Sequence, residues 1–102
     1  MSSASEVSLC CLSAAPRSAA ALRLRALLQP DEPVLLLGAA VVLAASAHPQ
    51  LPDWLASGAR FYALEEDLQA YGVLEAHEAI TPVSYADWVR LTETYATQTL
   101  WR

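Results

Sequence analysis

Phe61-Tyr62-Ala63-Leu64-Glu65-Glu66-Asp67-Leu68-Gln69-Ala70-Tyr71-Gly72 and, after a polar link, Pro82-Val83-Ser84-Tyr85-Ala86-Asp87-Trp88-Val89-Arg90-Leu91-Thr92 make the same move twice. A short apolar run stops at acidic or polar residues, and the pattern changes from strand to helix period. Arg60 to Leu64 is the strand of the first unit. Glu65, Glu66 and Asp67 then occupy the first helical turn, where carboxylates meet the positive end of the helix dipole. Gly72 is placed to close that helix in a left-handed conformation. Ala79 to Val83 is the strand of the second unit, and Pro82, which has no N–H, assigns it to a sheet edge or a bulge. Ser84 caps the next helix, with Asp87 supplying the carboxylate of a capping box. Trp88, Leu91 and Tyr95 make an apolar stripe at i, i+3 and i+7.

Upstream, the alternation continues. Glu6 to Leu12 is a first strand, ended by the turn signal Ser13-Ala14-Ala15-Pro16. Arg17 to Leu28 has helix period, with Ala20, Leu24, Leu27 and Leu28 on one face. Gln29-Pro30-Asp31-Glu32-Pro33 stops it, since two prolines cannot sit inside a continuing helix. Val34 to Leu37 is a continuous apolar run, as expected of a strand buried on both faces. Gly38 breaks it, and the Ala-rich Ala39 to Ala47 favours a short helix. His48 to Gly58 is the longest irregular connection, with one possible helical turn at Asp53 to Ala56. Thr97 to Arg102 is a short tail ending on Leu100-Trp101. These elements predict one α/β domain over residues 1–102. Its sheet is mainly parallel, with four or five strands, and helices lie on both faces.

The totals restrict function. The chain has 102 residues, 55% of them hydrophobic, and its mean hydropathy is +0.28. Such values imply a deeply buried sheet or surface covered by partners. A membrane span is excluded by length: the longest apolar run, Val34 to Ala47 with Gly38 and Ser46 included, is 14 residues, against the roughly 20 that a spanning helix needs. No Arg or Lys precedes the weak apolar run Val7 to Leu12, so a signal peptide is not indicated and a cytoplasmic location is expected. Net charge is −5, and all six basic residues are Arg. Without Lys there is no phosphate-loop lysine and no Schiff base. An acidic domain without a basic stripe does not suit direct nucleic-acid binding.

Few residues suggest chemistry. Cys10 and Cys11 are the only cysteines, and as neighbours in a strand they point to opposite faces. The bland reading puts one in the core and one under a helix. The sharp reading makes one a sulfur-carrying thiolate, its pKa lowered by a nearby helix N-terminus. Glu75, His77 and Glu78 are read as a solvated turn, His48 lies far away in sequence, and no metal or cofactor is expected. Trp88 and Tyr95 are placed to pack on the sheet. Trp101, past the last helix, either pins the tail to its own domain or inserts into a neighbour. These three aromatics are the candidates for a subunit interface.

Tyr62-Ala63-Leu64-x-Glu66-Asp67-Leu68-x-Ala70-x-Gly72, then Tyr85-x-x-Trp88-Val89-x-Leu91-Thr92 and a terminal Trp101, resembles the TusB/DsrH family. The resemblance covers residues 61–101 well and Leu9 to Val42 more loosely. It implies a small DsrEFH-like α/β domain serving as one subunit of a heterohexamer, with two copies each of TusB-, TusC- and TusD-like chains. Such a complex passes persulfide sulfur between carrier proteins, usually toward 2-thiolation of the tRNA wobble uridine; the DsrH branch serves sulfur oxidation instead. The relay cysteine then belongs to the TusD-like partner, and this chain is a structural subunit that meets tRNA only indirectly. Relatives carry a polar, often His-containing segment where this chain has Cys10-Cys11-Leu12, and an Asp-Gly pair where it has Gly38-Ala39-Ala40. The absence of Cys from Arg17 to Leu28 favours the tRNA branch. The competing expectation, from the cysteine doublet alone, is a thiol carrier or sulfurtransferase that uses Cys10 or Cys11 itself.

Overall fold

The computed structural model describes residues 7–95 and 97–102. The order is β1 (Ser8–Leu12), α1 (Ala19–Leu27), β2 (Pro33–Leu36), a 3-10 helix (Gly38–Ala44), α2 (Leu51–Leu55), β3 (Arg60–Leu64), α3 (Glu65–Ala70), β4 (Ile80–Val83), α4 (Tyr85–Thr94) and β5 (Thr97–Trp101). One five-stranded sheet runs β4-β3-β2-β1-β5, and every pairing in it is parallel. The chain steps outward from β1 to β4, then returns past β1 to lay down β5. Right-handed crossovers in opposite directions put their helices on opposite faces.

Alternation along each strand divides the core in two. Cys10, Leu12, Val34, Leu36, Phe61, Ala63 and Ile80 face α1, the 3-10 helix, α2 and α3. Leu9, Cys11, Leu35 and Val83 face α4, from which Trp88 and Leu91 pack down, joined by Tyr95 just after it. Burying side chains of this kind stabilises by about 1.5–3 kcal/mol each. β1 and β2 are buried at nearly every position because both of their faces are covered.

Ser18 caps α1 by accepting from the Ala21 N–H at 3.1 Å, so the helix starts at Ala19 rather than at the expected Arg17. Several local expectations hold. Ser84 and Asp87 form the full capping box of α4, at 3.1 Å in both directions. Gly72 has φ +76° and ends α3. β4, with Pro82, is an edge strand.

Others are corrected. The tail, which the sequence left unassigned, is a strand paired with β1 from Ser8↔Thr97 to Leu12↔Trp101, and it brings the expected four or five strands to five. Its partner is almost the whole chain away, so no local period could disclose it. Ala39 to Ala47 is a 3-10 helix from Gly38 to Ala44. Gly38 enters it at φ +49° and donates its N–H to Asp67 Oδ2 at 2.8 Å, which ties this turn to α3. The helical turn in the long connection begins earlier, at Leu51, and drops Trp54 fully into the core, edge-on to Phe61 at 6.3 Å. In α1 the buried stripe is Ala20, Ala21 and Leu24, while Leu27 is 63% exposed. At 100° per residue, Ala21 and Leu27 flank Leu24 on opposite sides, and the sheet takes the Ala21 side. The first strand begins at Ser8; Glu6, where it was expected to start, lies outside the described residues.

Candidate functional site

Ligands of parallel α/β sheets bind at the carboxyl ends of the strands, beside the point where crossovers change face. Here that point lies between β1 and β5, whose ends carry Ser13 and Trp101-Arg102. The polar groups around this rim serve the fold. The Ser13 N–H donates to the Trp101 carbonyl at 3.0 Å, and the Leu37 N–H to the Leu12 carbonyl at 2.8 Å. Asp67 accepts from Gly38, and Ser18, Ser84 and Asp87 serve as helix caps.

The two thiols sit inside the sheet. Both are free and buried, Cys10 toward α1 and Cys11 toward α4. Burial pushes the Cys10 thiol above its ordinary value; a hydrogen bond with Thr99 offsets this in part, and Glu32 adds to it. Cys11 is 1% exposed, and burial, with a smaller contribution from Cys10, raises it to about 11. Its Sγ donates to Gln98 Oε1 at 3.6 Å. The sulfurs lie as the bland reading has them, and the lowering by a helix N-terminus that the competing thiolate reading requires is not found: α1 begins at Ala19, seven residues beyond Leu12 and on the far side of a turn. At neutral pH both sulfurs are thiols, and a thiol is a poor nucleophile.

The histidines are separately engaged. His48 Nδ1 accepts from the Gln50 N–H at 3.1 Å, and burial, followed by the charge of Arg17, lowers its pKa. His77 Nδ1 accepts from the Ala79 N–H at 3.0 Å, while its own backbone N–H donates to the Ala44 carbonyl at 2.7 Å. Among the described residues no three His, Cys, Asp or Glu side chains group to hold a metal ion. A shallow groove of about 270 Å³ lies between α3 and the β4 edge, lined by Glu65, Leu68, Gln69, Val73, Leu74, Ala76 and Pro82. None of these residues is a cysteine, serine, threonine or histidine.

What the surface does offer is apolar area. One helix, α4, covers the second face of the sheet, and none of its residues is fully buried. Trp88 and Leu91 are half-buried and Tyr95 follows them, while Tyr85 and Val89 (57% exposed) look outward. Tyr85 stacks on Trp88 at 6.0 Å, and the buried Trp88 Nε1 has no acceptor. Beyond β1, β5 leaves Leu100 exposed on the α4 side, while Trp101 packs against the opposite core and donates from Nε1 to Thr99 Oγ1 at 3.2 Å. Of the interface candidates, Trp88 and Tyr95 therefore lie together under α4, and Trp101 lies on the other face. Leu100 is exposed, as its place at the end of the tail suggested, whereas Tyr85 and Val89 were not among the expected interface residues; outward apolar residues beside the packing stripe of α4 were the available signal. Among the described residues no helix is long and apolar enough to cross a membrane.

Comparison with known proteins agrees over most of the chain. The model of the family described as DsrH like protein matches residues 13–98. Protein TusB of Shigella dysenteriae serotype 1 (strain Sd197) is 37% identical over 79 residues, which is 76% of this chain and 82% of that protein. Protein TusB of Cronobacter sakazakii is 36% identical over 76 residues, covering 74% and 80%. Protein TusB of Escherichia coli O139:H28 is 37% identical over 79 residues, covering 76% and 82%.

Proposed function

The chain belongs to the DsrH-like family, and from that premise we propose that it is a non-catalytic structural subunit of a cytoplasmic sulfur-relay complex. In this reading it joins TusC-like and TusD-like chains, two copies of each, in a heterohexamer that hands persulfide sulfur toward 2-thiolation of the tRNA wobble uridine. The reactive cysteine is on the TusD-like partner, and carrier proteins and tRNA are reached through the complex. The observation that carries the reading is the state of the two sulfurs: both are buried, and burial raises both pKa values. Apolar residues exposed on α4 supply surface for partners in place of a reaction centre. The net charge of −5 fits protein contacts better than RNA.

Co-expression with TusC-like and TusD-like chains, followed by native mass spectrometry, tests it. The expected product is a stable complex containing this chain. A chain that stays monomeric and ignores both partners refutes the reading. In the same cells, replacing Cys10 and Cys11 together by Ala is expected to leave thiolated tRNA unchanged. Loss of thiolation with the complex intact would transfer the relay to this subunit.

A further inference from the structure

The two edges of the sheet differ in what they offer another strand. On β4 the Ile80 N–H already donates to the His77 carbonyl at 2.9 Å, and Pro82, two residues on, has no N–H. That edge has no outward donor at either position, which is how edge strands are closed to pairing.

β5 is open. Because the Trp101 carbonyl accepts from Ser13, the backbone groups of Trp101 point to β1. Alternation turns Thr97 and Thr99 the same way and leaves those of Gln98 and Leu100 pointing outward. Among the described residues no strand lies beyond β5. An incoming strand thus meets two N–H groups and two carbonyls. β5 has none of the usual guards: Thr97-Gln98-Thr99-Leu100-Trp101 contains no charge and no proline, and Leu100 is 61% exposed.

These groups are self-complementary. Two β5 strands laid antiparallel about a two-fold axis through Thr99 put Gln98 of one copy opposite Leu100 of the other. Both are outward residues, so each such pair exchanges two N–H···O bonds, and every outward group of the strand is used. Thr99 meets its counterpart across the axis in a non-hydrogen-bonded pair, and Thr97 faces Trp101. An acidic chain, of net charge −5, meets its own copy most easily along a strand that carries no charge.

We propose that β5 is a self-association edge, through which two copies of this chain join antiparallel about Thr99 and merge their sheets into one. The inference concerns this chain alone and does not depend on the relay reading. The strip is short, so the pair forms at high protein concentration or where an assembly brings two copies together.

Position 99 supplies the test, because any side chain there faces itself across the axis. Wild-type protein is expected to sediment as a dimer at high concentration. T99K and T99E, checked for a native circular-dichroism spectrum, are each expected to shift to monomer, and their equimolar mixture to recover the dimer. T99C in a Cys10→Ala background, which removes the thiol paired with position 99, is expected to form a covalent dimer under mild oxidation, both alone and in the assembly co-expressed with the partner chains, whereas R23C in the same background is not. A monomeric wild type together with no T99C cross-link between copies in either setting overturns the proposal. So does a T99C cross-link to a different chain, or a T99K and T99E mixture that stays monomeric; each of these leaves the relay reading standing.

Discussion

Cys11 shows how burial decides what a residue can do. Its thiol is held at about 11 against an ordinary 9.0, chiefly by loss of water. The folded state therefore keeps a proton that the unfolded chain releases, so stability falls as pH rises from about 9 toward 11. Over that interval the loss amounts to about 2–3 kcal/mol. Urea unfolding at a series of pH values should show this decline, and Cys11→Ala should flatten it while lowering stability at neutral pH. The same burial predicts that iodoacetamide labels neither cysteine until the protein unfolds. Asp67 carries a second residue-scale prediction. It was read only as a first-turn acid, yet its Oδ2 also accepts from Gly38 N–H across 29 residues. Asp67→Ala removes the acceptor from a part-buried N–H and should cost about 1–3 kcal/mol in the same assay.

Among the helices, α4 is the most readable and the least buried. Its start follows from Ser84 and Asp87 alone, because a capping box is a local exchange of hydrogen bonds. Ser84→Ala should cost about 0.5–2 kcal/mol. Asp87 is held below its ordinary 3.8, first by the backbone hydrogen bond from Ser84 and then by the Ser84 side chain, with Arg90 contributing less. Its contribution is thus complete above the unfolded value and is lost as pH falls through the depressed folded one. Asp87→Ala should therefore be less stable than wild type near neutral pH, and the gap between their acid unfolding curves should narrow only as pH falls below 3.8. The 3-10 helix illustrates the opposite case. Ala and Val permit either helix type there, and the choice was made by Gly38 at φ +49° and the tie to Asp67. Neither is visible in composition or period.

For the whole molecule, the asymmetry of cover matters most. Among the described residues, four helical segments coat one face of the sheet and a single helix coats the other. Val89 is 57% exposed on that helix. Val89→Glu should leave the unfolding free energy of the isolated chain within about 0.5 kcal/mol of wild type. It should weaken co-purification with the partner chains, measured by pull-down at fixed expression. Retained assembly would move the contact surface away from α4.

The α/β class, the strand-to-helix switches at Leu64 and Ser84, the helix caps and the edge position of Pro82 were all legible from residue types and spacing. Each rests on interactions reaching no more than a few residues along the chain, so local pattern suffices. So did the separation of Cys10 and Cys11 onto two faces, which follows from the period of a strand. The fifth strand, the α1 face that is buried, the Gly38–Asp67 tie and the loss of thiolate character were decided only by tertiary structure. Each depends on what lies across the sheet: β1 recruits Thr97–Trp101, and the layers on either face take water away from the sulfurs. The twice-repeated stretch from Phe61 to Thr92 determined the kind of fold. The return of the chain past β1 determined where its surfaces and its open edge lie.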